Sequence, residues 1–182
     1  MSTTRNISFV LLLAFFAGHS FLRAQNSGLD DFNARRLSIN RTGMWGLGGW
    51  ALGNIAWGTV GYFSTEGQSR YFHQMNAGWN LVNLGIAGYG FWQASQVSLV
   101  VNFWEVLTAQ QQIEKVLLAN AALDFGYIAL GLYLIERGRR MEKEKWIGFG
   151  KSILLQGAFL LLFDAILYGY QQQLGMDLVE LL

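Results

Sequence analysis

The sequence contains no cysteine and no proline, and only 14% of its 182 residues are charged. The absence of cysteine excludes disulfides, thiolate metal sites, iron–sulfur clusters and cysteine nucleophiles. Soluble domains carry about 25% charged residues, so the low charge indicates a protein that resides in a lipid bilayer. A net charge of +1 is also too small for a nucleic-acid-binding surface, which requires a strong basic excess. We therefore expect no nucleic-acid partner.

The sequence contains long apolar runs with few charged residues. Four segments of about 20 residues are nearly free of charged side chains and are long enough to cross about 30 Å of hydrocarbon as helices. The predicted spans are residues 44–63, 75–93, 116–135 and 147–170. Tryptophan and tyrosine concentrate toward the segment ends, as in membrane helices. The sequence therefore predicts an all-α membrane protein, with four transmembrane helices in an antiparallel bundle within residues 44–182.

The N-terminal region has the layout of a secretory signal peptide. Arg5 precedes an apolar run over residues 7–18, and a short region ends at Ala24. The apolar run is shorter than the roughly 20 residues that span a bilayer. This length favours a cleaved signal peptide at residues 1–25 over an uncleaved anchor helix.

Two other segments have the pattern of amphipathic helices. Residues 28–42, within an outer segment predicted at 26–43, and residues 95–108 place apolar side chains at helical spacing with polar residues between them. Such helices can rest on the outer membrane surface. The alternative is that they continue spanning helices outward and pack on neighbouring helices.

The distribution of basic residues predicts the orientation. The connection 136–146 carries five Lys or Arg residues, whereas the stretch after Tyr170 carries none. The positive-inside rule therefore places 136–146 in the cytoplasm. Mature N- and C-termini then lie in the periplasm, which agrees with a cleaved signal peptide at the bacterial inner membrane. Arg35, Arg36 and Arg41 lie on the side that the rule disfavours.

Polar residues inside the spans require an explanation, because an ionised carboxylate at mid-membrane costs about 2.5–3.5 kcal/mol. At about 1.5 Å per residue, Asp124, Asp164, Asn54 and Asn83 all fall roughly 9–15 Å below the outer surface. Asn120 lies four residues before Asp124 and therefore shares its helix face. We predict a buried polar site from these five residues, in which the two carboxyls share a proton. The alternative is that they are interhelical hydrogen bonds that only specify packing.

The two predicted hairpins also resemble each other in sequence. Polar residues in corresponding spans are followed by aromatic and glycine residues at the same offsets. The matching sets are Asn54, Trp57 and Gly61 with Asp124, Tyr127 and Gly131, and Asn83, Gly88 and Tyr89 with Asp164, Gly169 and Tyr170. Parallel repeats of this kind occur in transporters. Glycine and aromatic residues are so common here that chance is the alternative.

Three stretches carry a resemblance to known proteins: INRTGMWGLGGWALGNIAWG, EKVLLANAALDFGYIALGLYLIERG and GKSILLQGAFLLLFDAILY. They resemble a family of small, uncharacterised membrane proteins from Bacteroidota, carried as a domain of unknown function. The resemblance implies a membrane location and the helical fold. It transfers no catalytic residue.

Two functions from different classes fit these features. The first is an accessory or structural subunit of a membrane complex, whose partners are the bilayer and other membrane subunits or a second copy. The second is a small transporter or channel for protons, cations or a small polar solute, based on the Asp and Asn layer. No nucleophile stands beside a base, and only His73 remains after signal cleavage. We therefore expect neither an enzyme nor a metal or other cofactor.

Overall fold

The computed structural model describes the backbone of residues 3–96 and 102–179 and the side chains of residues 28–96 and 102–178. Within these ranges the regular structure consists of helices. They are α1 (Thr3–Ser64), α2 (Gly67–Gln96), α3 (Phe103–Arg140) and α4 (Glu144–Val179). The predicted all-α fold with four principal helices is confirmed. The signal peptide falls where the side chains are not described, and it stays a prediction.

The helices form two antiparallel hairpins, α1–α2 and α3–α4. The turns are short, and Gly67 opens α2 with a φ of +56°, a left-handed conformation that glycine adopts without a Cβ clash. The hairpins join mainly through α2 and α4, which lie side by side and run in the same direction, whereas α2 and α3 make no close backbone contact. The bundle is therefore antiparallel along the chain but contains one parallel helix pair at its centre.

Buried positions repeat every seven residues along α3 and α4. On α3 they are Gln110, Leu117, Asp124, Gly131 and Gly138, and on α4 they are Gly150, Gly157, Asp164, Gln171 and Leu178. A seven-residue repeat keeps one seam of a helix facing its partner at a shallow crossing angle of about 20°. Most of these residues are glycine or polar, as expected for helices that associate inside a membrane, where burial of apolar surface gives no driving force.

Glycine allows the backbones to approach closely at two contacts. A Cβ atom at Gly131 would lie 2.7 Å from the backbone nitrogen of Leu154 and 2.9 Å from the carbonyl oxygen of Gly150. A Cβ atom at Gly148 would collide with the backbone oxygen of Gln68. These positions join α3 to α4 and α2 to α4 in the half of the bundle that contains both turns, and a larger residue would force the helices apart.

At the opposite end, α1 extends beyond the first predicted span and packs on α3 and α4. Its Leu29 and Phe32 form an apolar cluster with Val106, Leu174 and Leu178. Residues 28–42 are therefore part of one continuous helix with buried apolar side chains, which supports the alternative of outward continuation over a separate surface helix. The second amphipathic segment is divided: residues 97–101 lie outside the described part, and residues 103–108 begin α3 and continue without a break into the third span.

The outer surface of the bundle is largely apolar, and its interior contains many polar side chains beside the apolar ones. Large apolar side chains point outward from all four helices, including Phe63 at 81% exposure, Val82, Phe125 and Leu162. By length and apolarity, two of the described helices, Phe103–Arg140 and Glu144–Leu178, could cross a membrane. Over the first two predicted spans, α1 and α2 carry no charge but are rich in glycine and asparagine, which lowers their hydropathy.

Candidate functional site

The structure brings Asp124 of α3 and Asp164 of α4 together inside the bundle. The two residues are 2% and 5% exposed, and their carboxyl groups are close enough to interact with each other. Two neighbouring buried carboxyl groups favour a state in which one of them is protonated, because two like charges repel each other there. The Oδ2 atom of Asp124 has no hydrogen-bond partner among the described residues. The pair therefore keeps a buried oxygen available to a further proton, water or cation.

A cavity of about 140 Å³ lies beside this pair, and Asn83 and Asn120 also line it. Four of the five residues predicted to form the site thus surround one space. They converge because α2 and α3 both pack on α4 and face each other across this cavity, where Trp79 also contacts Tyr127. Asn54 is absent from the lining of this cavity.

Asn54 belongs instead to a hydrogen-bonded network that lies next to the cavity. Asn76 Nδ2 donates to Asn54 Oδ1 at 3.0 Å, and Gln156 Nε2 donates to Asn76 Oδ1 at 2.6 Å. Trp50 Nε1 in turn donates to Gln156 Oε1 at 3.0 Å. The network therefore links α1, α2 and α4. Through Asn80, whose Oδ1 accepts from Asn83 at 3.3 Å, it reaches the lining of the cavity.

Sequence reasoning missed Asn76 and Trp50 as members of this network. The signal for Asn76 is its spacing, because Asn76, Asn80 and Asn83 recur at intervals of four and three residues and therefore lie on one helix face. For Trp50 the sequence carries no such signal, since its role depends on the distance to Gln156 across two helices.

A second, larger cavity of about 680 Å³, the outer cavity, lies toward the end of the bundle opposite the two turns and shares Asn120 and Asp164 with the first. It occupies the gap between α2 and α3, which are not in close backbone contact. The larger cavity therefore reaches Asp164, and toward the turns Trp79 of α2 packs edge-on against Tyr127 of α3 with ring centroids 4.9 Å apart. Among the described residues, no group of three or more His, Cys, Asp or Glu side chains could hold a metal ion.

Comparison with known protein families assigns the chain to one family. Residues 46–165 match the Family of unknown function (DUF6992). The chain belongs to this family. The matched region begins near the start of the first predicted span and ends just beyond Asp164, so it contains the whole candidate site. No curated protein and no solved structure matches the chain.

Proposed function

We propose that this member of the DUF6992 family is an integral membrane protein of four spans that binds a proton or small cation at the Asp124–Asp164 pair. The apolar outer surface supports the membrane location. Large apolar side chains face outward from α1 and α2 as well as from α3 and α4, the two helices with the higher hydropathy. The basic connection 136–146 supports an orientation in the inner membrane with that connection in the cytoplasm and both mature ends in the periplasm.

The position of the carboxyl pair carries the binding proposal. Asp164 lines both the outer cavity and the smaller one, and Asp124 lines the smaller one beside it, so an ion that enters the outer cavity reaches the pair through Asp164. Carboxylate and amide oxygens are good ligands for hard cations, and Asn83 and Asn120 add amide oxygens to the same space. Oxygen ligands are sufficient to bind an ion. We therefore propose that the site binds or moves the ion and does not catalyse a reaction.

Proteoliposomes that contain a dye selective for protons, sodium or potassium test this proposal. Under an imposed proton, sodium or potassium gradient, the wild-type protein should raise the flux of one of these ions above that of empty vesicles. Asp124→Asn and Asp164→Asn should each abolish the increase, because they keep the shape and remove the ionisable group. Asp177→Asn is the control, since Asp177 forms an exposed ion pair with Arg35.

Infrared difference spectra separate binding from transport. A protonated carboxyl band in the wild type that disappears in Asp164→Asn and persists in Asp177→Asn would support the shared proton. If the band is absent in the wild type and the vesicles show no added flux, the proposal is wrong. If both Asn variants fold normally and show the wild-type flux, Asp124 and Asp164 only form hydrogen bonds that specify packing, and the proposal is wrong.

A second candidate, an accessory subunit or self-associating protein, is favoured by one exposed surface. Small residues on α3 face outward at spacings of three and four: Ala119, Ala122, Gly126 and Ala129. Gly126 has open space where a Cβ would stand, so another helix can approach closely there. Purification in a mild detergent distinguishes this function: companions or oligomers that disappear in Gly126→Leu would support it.

A further inference from the structure

The three arginines on the side that the positive-inside rule disfavours have different surroundings. Arg35 forms exposed ion pairs with Asp31 and Asp177, and Arg41 donates to the backbone oxygen of Ala94. These contacts account for both residues within the fold. Arg36 differs, because it is buried and has no acidic partner.

Arg36 is only 5% exposed and forms no ion pair with any described residue. Its Nη2 donates to Asn33 Oδ1 at 2.6 Å, and its Nε has no hydrogen-bond partner in the described part of the chain. Burial lowers the pKa of this guanidinium, yet an arginine side chain stays charged in proteins. A buried cation with free donors is unfavourable unless an anion joins it.

The guanidinium lines the outer cavity of about 680 Å³, a volume typical of pockets for drug-sized ligands. Most of the remaining wall is apolar and includes Leu37, Met44, Ile113, Val116, Leu117 and Leu167. Exposed Glu105 also lines the cavity without pairing to Arg36, and Asp164 lies at its inner end. Because Asp164 lies at the inner end, an anionic group of a ligand is disfavoured there. A ligand with one anionic group and one apolar part would therefore place the anionic group at Arg36 and the apolar part between α2 and α3.

We propose that the outer cavity binds a phospholipid whose phosphate contacts Arg36 and whose acyl chain lies against the apolar wall. Arginine is well suited to phosphate, since its planar donors match the spacing of the oxygens. Arg36 lies eight residues before the predicted start of the first span at Met44. The guanidinium end of the cavity therefore lies on the water side of the hydrocarbon boundary, whereas Met44 and Leu47, which line the same cavity, lie within the predicted span.

Native mass spectrometry of the full chain in detergent tests the site with three named probes: dioleoyl phosphatidylglycerol, dioleoylglycerol and inorganic phosphate. The wild type should retain the phospholipid and bind neither the uncharged diacylglycerol nor inorganic phosphate with comparable affinity. Arg36→Gln should weaken phospholipid binding by about tenfold or more, because charge-assisted hydrogen bonds are lost. Arg35→Gln, which removes the same charge from an exposed neighbour, should change it by less than about twofold.

A second variant covers the case in which Arg36→Gln fails to fold. Ala109→Phe narrows the same cavity from α3 and leaves the guanidinium in place, so it should also lose the phospholipid. Equal binding of diacylglycerol and phospholipid, or equal losses in the Arg35 and Arg36 variants, would overturn the proposal. Unchanged binding in Ala109→Phe would place the lipid elsewhere on the surface, and tight binding of inorganic phosphate would identify a free-anion site instead.

Discussion

Gln156 joins three helices through its carboxamide, so replacing it with leucine should destabilise the whole bundle. The side chain is fully buried, accepts from Trp50 Nε1 and donates to Asn76 Oδ1. Gln156→Leu removes both hydrogen bonds and leaves the buried Asn76 Oδ1 and the half-buried Trp50 Nε1 without these partners. Each unsatisfied group costs about 1–3 kcal/mol, whereas interhelical hydrogen bonds inside membranes average about 0.6 kcal/mol. We therefore expect a loss of roughly 1–4 kcal/mol in the free energy of unfolding.

Reversible unfolding in mixed micelles, followed by circular dichroism, measures this difference. Gln172→Leu is the matched control on the same helix, because Gln172 is exposed and bonds only to Tyr168 one turn earlier. It should change stability by less than about 0.5 kcal/mol. If Gln156→Leu is as stable as the wild type or more so, the network does not stabilise the bundle, and this reasoning is refuted.

Two other predictions concern the backbone contacts and the topology. Gly131→Leu should separate α3 from α4 and cost about 3 kcal/mol or more in unfolding free energy, whereas Gly126→Leu, which has open space at its Cβ position, should fold normally. Both are measured in the same unfolding assay, and equal effects would contradict the close contact. Reporter fusions after Arg140 and after Leu182 should lie in opposite compartments, and a common compartment would contradict the four spans.

Much of the fold follows from local features of the sequence. Long uncharged runs separated by short polar connections predict helical hairpins, and the structure has them. The depth argument identified Asp124, Asp164 and Asn83, and the four-residue spacing to Asp124 identified Asn120; these four residues line a common cavity. Depth along a helix is fixed by residue counting, at about 1.5 Å per residue, so this part of the site could be derived without tertiary information.

The sequence did not predict which helices are neighbours in the bundle, because residue counting gives only the depth of a residue along its own helix. Asn54 lies at the predicted depth but faces Asn76 rather than the carboxyl pair, because α2 and α4 pack together and leave α1 beside α2. Depth does not determine which helices are neighbours. The neighbours are selected by small residues such as Gly148 and Gly131, which permit backbone contact only at particular faces.

The seven-residue repeat of small and polar residues explains why cavities and tight contacts occupy different halves of the molecule. Toward the turns, the buried seam of α3 and α4 consists of Gly131, Gly138 and Gly150, and the helices touch. Beyond Asp124 and Asp164 the same seam continues as Leu117, Gln110, Gln171 and Leu178, and side-chain contacts replace glycine there: Gln110 Nε2 donates to the backbone oxygen of Gln171 at 2.7 Å. Since α2 makes no close backbone contact with α3, a gap remains between them, and at this end of the bundle it forms the outer cavity. The seam thus changes from glycine to larger residues at the carboxyl pair, and Asp164 lies at the inner end of that cavity.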